Sequence, residues 1–426
     1  MPIRAPMDGF DVMVLGGGPA GICAAVQAAR LNSRVLLVEK AAQLGGTTTT
    51  GGVNGIQSFF AYGRQVIAGI GWELVCRSCE VLGQPRPDGG NFNPATGITT
   101  TVVDRAAYAA VVDQAVLEAG IDLRLHTMLG AMRHDGDLWR ITLCGKEGLY
   151  EVAARIVIDC SGDANAVALA GLEVVRTPQR QPGTIVLKLG GYDAGKIDYA
   201  AIQAAYDAAV AAGEMQRSDT GWHKGDVRPL LKGYGGNCVH VRSPSAHDSR
   251  GRTAAEIEAR RAMLRLLRFL RRQPGLEGLA IEWFAPECGI RETVTLAARA
   301  TIAREDWISG RVWPDAVCHG FYPIDVHEDE SLHYEPLARG VVPTIPFGAM
   351  LPRTGRQILV AGRCIGGDRL AFSAYRVQAT CMATGQAAGG AAGVAMRSGC
   401  DVADVSIDAL RRTLAEHGAI VPPQAT

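Results

Sequence analysis

Two hydrophobic patterns take turns along this chain, and they predict different elements. Short apolar runs recur at 11–15, 35–38, 156–159 and 358–361. Runs this short, apolar on both faces, suit strands buried inside a parallel sheet. Elsewhere apolar positions recur at helical spacing. An alanine-rich stretch runs to about Arg30, and "GWELVCRSCEVLG" carries Leu74, Val75 and Val81 on one face. "KIDYAAIQAAYDAAVAAGE" and "TAAEIEARRAMLRLLRFLRR" are two more predicted helices, the second marked by Leu264, Leu267, Phe269 and Leu270. "QPGTIVLKLGGYD" and "GGNCVHVRS" read as further strands. The strand–helix–strand order near the start predicts an α/β fold. The change of pattern between about Gln181 and Arg339 predicts an inserted α+β lobe.

Glycine placement turns the first of these units into a candidate site. After the strand at 11–15 comes G-x-G-x-x-G, with Gly16, Gly18 and Gly21 enclosing Pro19 and Ala20. Gly16 makes the tight turn, Gly18 lets backbone approach a pyrophosphate, and Gly21 lets the helix lie close on the strand. The helix N-terminus then faces the negative charge. The second strand ends in Glu39, eighteen residues past the last glycine and followed by Lys40. An acid there accepts hydrogen bonds from a ribose hydroxyl and argues against a 2′-phosphate. With every part in register, the unit predicts dinucleotide binding.

Composition narrows the classes. With 43 basic and 43 acidic residues, no net charge pulls the chain toward nucleic acid or an anionic membrane. The eleven cysteines are scattered, and "MPIRAPMDGFDVMVLGGG" lacks the apolar core of a signal peptide. The expectation is a reduced, cytoplasmic protein. Cys76 and Cys79 form a CxxC, but no second pair completes a zinc site and no thioredoxin-like pattern surrounds them. "GGYDAGK" at 190–196 opens like a phosphate-binding loop, yet Ile197 stands where a magnesium-holding hydroxyl belongs. Six arginines between Arg260 and Arg272 read by default as a solvated helix face.

Directly after Glu39 the chain enters "KAAQLGGTTTTGGVNG", where a plain dehydrogenase would proceed to another crossover. This loop resembles the "LGGxxTxGGV" of FAD-dependent oxidoreductases in the glutathione-reductase-like superfamily. The resemblance implies that Gly45, Gly46, Thr47, Thr48, Thr49, Thr50, Gly51 and Gly52 form a wall along the flavin. "ARIVIDCSGDANAVALAGLEV" is similar to the family's "DxSGD", which implies cofactor contact at Ser161, Gly162 and Asp163, with Asp163 at a helix N-terminus. "VAGRCIGGDRLAFSAYRVQATCMATGQAAGGAA" is similar to the family's final segment and implies flavin contacts at Gly362, Arg363, Thr384, Gly385 and Gln386. The glycine-rich helix there would press on a flat ring, or pack on another helix through small residues. The implied fold is a discontinuous Rossmann-like FAD-binding domain, residues 1–182 and 339–426, around a substrate-binding domain at 183–338. No second G-x-G-x-x-G appears, so a separate NAD(P)H domain is not expected.

Candidates for chemistry lie in "APECGIRETVTL" and "VCHGFYPIDVHEDESLHY". These blocks are similar to the family's "GIRETxxI" and "GxYPIDxH". Arg291 and Glu292 either pair with each other or free the guanidinium for a substrate carboxylate. His319, Tyr322 and His327 are the candidate proton acceptors; His327 matches the family block and His319 does not. Histidines 319, 327 and 333 lack metal-ligand spacing, so no metal is expected. The function implied is hydride removal from a small polar organic substrate to FAD. A flavin monooxygenase using external NAD(P)H and an electron-relay subunit are the alternatives, and a homo-oligomer or redox partner is left open.

Overall fold

The protein is described from a computed structural model, over residues 8–242, 245–328 and 332–424. The signal-peptide reading falls in part on residues 1–7, outside the described residues. The first strand, Asp8–Leu15, lies between Val35–Val38 and the long strand Gly148–Asp159, parallel to both, with Val12 opposite Val35 and Ile156. Val35–Val38 pairs in turn with Asp122–Arg124, again in parallel. The end of the long strand pairs in parallel with Ile358–Val360, so chain segments two hundred residues apart share one sheet. Its beginning pairs antiparallel with Leu138–Gly145, which continues to Met128–Asp135. Every residue of Val35–Val38 is buried, which is why that run shows no alternation.

The inserted lobe has its own core. Gly183–Gly190 forms the centre of an antiparallel sheet with Gly235–Val241 on one side and Ala280–Phe284 on the other. Helices Tyr199–Ala211, Val227–Lys232 and Ser249–Leu270 cover it, and its buried residues run from Ile185 to Cys288. From Val294 onward, residues such as Trp307, Phe321 and Ile324 join the larger core beneath the parallel sheet.

Two sequence readings of helix faces are corrected. On Ser249–Leu270 the buried seam is Ala255, Ala259, Ala262, Leu266, Phe269 and Leu270, while Leu264 is 43% exposed. Alanines carry the first half of that seam, so the leucine pattern alone misplaced it. On Ile70–Val81, Leu74 and Val75 are buried but Val81 is exposed at the last turn. The arginine-rich face is also not wholly solvated, since Arg265 forms a two-bond ion pair with the fully buried Asp219.

The last long helix, Gln378–Ser398, explains its glycines by packing. Gly385, Gly389 and Gly393 recur every fourth residue along one face. A methyl group added to Gly385 would sit 2.0 Å from the Ala20 carbonyl, and one on Gly389 2.2 Å from that of Ala24. At Gly393 the obstacle is the Leu31 side chain, 2.5 Å away. The small residues therefore press on the helix Pro19–Arg30 and not on a planar ring. Each internal glycine costs a helix about 1 kcal/mol relative to alanine, and close helix contact offsets it here.

Gly389→Val should force the two helices apart and destabilise the protein by about 1–3 kcal/mol. Chemical denaturation would measure this; a wild-type midpoint would refute the backbone contact.

Candidate active site

A cavity of about 590 Å³ lies where the parallel strands end and the inserted lobe begins. Its outer end is built from the glycine turn. Gly16 adopts φ +98°, and a side chain there would strike the Cys160 carbonyl at 2.6 Å. Gly18 has open space where a side chain would be, and it caps its helix with no side-chain bond. Gly18, Pro19 and Ala20 line the cavity, so the first turn offers its unpaired N–H groups there. Gly21 does not line it; this residue lets the helix lie on the Gly16 carbonyl, 1.7 Å from where its own methyl would be. Glu39 ends its strand at the cavity wall, accepting from Gly17 N at 2.6 Å and Ala41 N at 2.7 Å. Lys40 meets Glu287 of the inserted lobe at 3.3 Å, an exposed pair of small energetic weight.

Only half of the threonine run faces the cavity. The loop winds through short turns, Thr48 N to Gly45 O and Gly51 N to Gly46 O, so residues three apart share a side. Thr47 and Thr50 line the cavity with Gly46 and Gly51. Thr48 turns inward to Gln378 Oε1 at 2.5 Å, and Thr49 to the Leu44 carbonyl at 2.6 Å. Gly45 makes room for Thr49, and Gly52 for the ring of Trp283.

Ser161, Gly162 and Asp163 all line the cavity, but the cap of the helix Asn165–Leu169 is Asp159. Asp159 Oδ2 accepts from Ala166 N at 2.7 Å and Val167 N at 3.1 Å. Asp163 instead binds side chains: Arg363 at 2.6 Å, Arg252 at 3.1 Å and the Thr293 hydroxyl at 2.7 Å. Burial alone would raise its pKa, but the two guanidinium groups outweigh that and hold it below the usual carboxylate range. Arg252 comes from the long helix of the inserted lobe, so this triad ties the two lobes together. Gly362 and Arg363 line the cavity, and Arg363 Nη1 is buried without a partner. Thr384, Gly385 and Gln386 lie beneath it, off the surface. Thr384 Oγ1 accepts from Gly362 N at 3.0 Å, and Gln386 bonds Ile70 N, Gln27 and the His417 carbonyl.

The inner end gathers Arg291, Tyr322 and His327. Asp325 and His327 sit two residues apart on the strand Ile324–His327, hence on one face, with His327 Nε2 3.2 Å from Asp325 Oδ2. Burial pushes the His327 pKa down, and the Asp325 carboxylate partly restores it. For Asp325, burial is outweighed by the His327 bond and by Arg376 and Arg291, so its carboxyl titrates below the usual range. Burial raises the Tyr322 phenol, which stays a proton donor. His240 of the inserted lobe stands edge-on to His327 at 5.2 Å between centroids. Burial and then Arg291 push His240 down to about 2, so it is neutral and can accept from Arg291 Nη2 at 3.4 Å.

Arg291 and Glu292 point apart. Arg291 donates to the Pro182 carbonyl at 2.7 Å and to the Thr184 hydroxyl. Glu292 accepts from Thr177 Oγ1 and Gln181 N and lies 3.5 Å from Arg369. His319 is not on the cavity. It sits in a strand paired with Thr344–Pro346, its Nδ1 is buried without a partner, and burial with the nearby Arg64 lowers its pKa to about 4. Sequence reasoning gave Asp325 and Arg376 no role in the site and did not single out His240. The D-x-H spacing on a strand was a readable signal for the first, whereas nothing local marks His240.

The residues present fit a dinucleotide. A helix N-terminus without a side-chain cap, an open lane over Gly18, a strand-end carboxylate and an unpartnered Arg363 nitrogen share one wall. This is the site of a dinucleotide-binding α/β enzyme. A family model described as FAD dependent oxidoreductase matches residues 11–414, and the chain belongs to that family, whose cofactor is FAD. The chain is 28% identical over 191 residues to digeranylgeranylglycerophospholipid reductase 2 of Methanothermobacter thermautotrophicus, covering 43% of this chain and 48% of that one. It is 26% identical over 174 residues to 12-dehydrotetracycline 5-monooxygenase/anhydrotetracycline 6-monooxygenase of Streptomyces rimosus, covering 37% of this chain and 32% of that one. The chain thus spans less than half the length of these curated relatives. A geranylgeranyl bacteriochlorophyll reductase-like structure from Thermoplasma acidophilum aligns with TM-score 0.47 at 14% identity, over 96% of this chain and 83% of that one. Among the described residues no helix is long and apolar enough to cross a membrane.

Asp163→Asn should cost about 3 kcal/mol, the lower end for breaking a buried charge pair, because Arg252 keeps some solvent. Since Asp163 titrates lower in the folded state, the wild-type advantage is full above an ordinary aspartate pKa of 3.8 and declines only below it. Urea melts of both proteins across pH would show a constant gap at neutral pH; no gap would refute the clamp.

Proposed function

We propose that this enzyme is an FAD-dependent dehydrogenase or oxidase that removes a hydride from a small polar organic substrate, with His327 taking the proton. The observation that carries the reading is the Asp325–His327 pair opening onto the same cavity as the dinucleotide cradle. In this reading Gly16, Gly18, Pro19 and Ala20 hold the pyrophosphate, Glu39 the ribose, and Thr47, Thr50, Gly162 and Arg363 the remainder of the cofactor. Bound FAD supplies a two-electron hydride acceptor.

This chain's own residues do the rest. An ionised Asp325 can only accept, so Nε2 of His327 carries the proton and Nδ1 is the basic atom. The lowered pKa keeps that imidazole neutral and ready as a base at neutral pH. Tyr322, protonated and lining the same cavity, can donate to the substrate oxygen on which negative charge builds as its proton passes to His327. Trp222 and Tyr334 stand half exposed on the lining and narrow access to water. A monooxygenase reading draws on the Streptomyces rimosus relative; it requires NAD(P)H consumption coupled to hydroxylation.

His327→Ala should lower the rate of anaerobic flavin bleaching by roughly 10²- to 10⁴-fold. In the wild type, kcat/KM should fall as pH drops through the His327 pKa, on the acid side of an ordinary imidazole's 6.5. Asp325→Asn removes the group that raises that pKa, so its acid limb should move to lower pH. Unchanged bleaching in His327→Ala, or bleaching by NAD(P)H alone, would overturn the assignment.

A further inference from the structure

We propose that the substrate carries a carboxylate, and that Arg291 and Arg376 receive it from two walls of the cavity. This deepens the function proposed above and rests on it. Both arginines line the cavity's inner end, beside Tyr322, Asp325 and His327. Arg291 is 9% exposed and anchored on the inserted lobe's first strand, through Pro182 O and Thr184 Oγ1. Arg376 ends the short helix Arg369–Tyr375, and its Nη2 reaches the Gln181 side-chain oxygen at 3.3 Å. Its Nε is buried and has no partner.

Their neighbours make the contrast. Arg252 and Arg363 share Asp163, and Arg369 lies 3.5 Å from Glu292. Among the described residues neither Arg291 nor Arg376 has a carboxylate within 4 Å. The carboxylate that acts on both is Asp325, which is already bonded to His327. Among the described residues, the carboxylates acting on this pair are Asp325, on both arginines, and Glu292, on Arg376, and both imidazoles are neutral.

Burying an uncompensated charge is costly, and two like charges in one pocket add to the cost. The strain registers on Arg291, whose pKa falls to about 10 through burial and then through Arg376. A single negative charge between the two guanidiniums would relieve both. Planar guanidinium forks match a carboxylate in geometry as well as sign. A phosphate monoester would bring nearly two negative charges beside the Asp325 carboxylate, so a monocarboxylate fits better.

The test uses the FAD-loaded protein and equilibrium binding, read as a difference spectrum of the flavin. Sodium propionate and benzoate are titrated against propionamide and benzamide, which have nearly the same shape without the charge. The acids should give saturable spectra and the amides should bind roughly 10- to 100-fold more weakly. Arg376→Met should weaken the acids by a similar factor and leave the amides unchanged, and Arg291→Lys should weaken them less. Amides that bind as well as acids, acids with no spectrum up to about 100 mM, or an Arg376→Met protein that binds acids normally would overturn the proposal. Methyl phosphate binding more tightly than propionate would overturn it in favour of a phosphate ester. Because no turnover is needed, a protein that binds propionate but resists bleaching by every carboxylate alcohol keeps the anion site and loses only the hydride reading.

Discussion

The structure depends on one helix being held at backbone distance from what lies on either side of it. The helix Pro19–Arg30 touches the Gly16 carbonyl through Gly21 and the final long helix through Gly385, Gly389 and Gly393. A side chain at any of these glycines would push the helix away from its sheet or from its partner. Its N-terminus would then leave the cavity wall, and Gly362, which follows the strand paired to Asp159, would lose its place beside Ala20. Chain segments more than three hundred residues apart therefore meet at one wall because backbone, not side chain, sets their spacing.

Charge is managed differently at the two ends of the cavity. At the Asp163 triad, two arginines from different lobes share one buried carboxylate, which also accepts from the Thr293 hydroxyl. At the Arg291–Arg376 end, the polar groups that position the arginines are neutral: a carbonyl, a hydroxyl, an amide and an imidazole. Neutral acceptors orient a guanidinium without cancelling its charge. The first arrangement fastens the lobes; the second leaves an attractive potential in the space beside the Asp325–His327 pair.

The segment 181–184 joins these roles. Gln181 Oε1 accepts both from Arg376 and from the His327 backbone N–H, and Pro182 and Thr184 hold Arg291. This is also where the chain leaves the parallel sheet's lobe for the inserted one, whose core begins at Ile185. A shift of the lobe would thus move Arg291 against Arg376 and His327, coupling lobe position to the geometry of the inner end.

Much of the fold was written locally. The runs at 35–38 and 358–361, the glycine turn at Gly16, Gly18 and Gly21, and the acid at Glu39 all follow from periodicity and backbone sterics, which need only neighbouring residues. The family loop at 44–55 was equally legible as a motif, but not which threonines face inward. That depended on turn winding, which put Thr47 and Thr50 on one side and gave Thr48 and Thr49 to Gln378 and Leu44. The glycines of the last helix announced a close approach without naming the partner, because a flat ring and a second helix demand the same absence of side chains. Only the tertiary structure separated Arg291 from Glu292, took His319 out of the cavity, brought Arg376 into it and set His240 against His327. Those outcomes rest on long-range packing and on which buried charge finds which partner, and no local stretch of sequence encodes either.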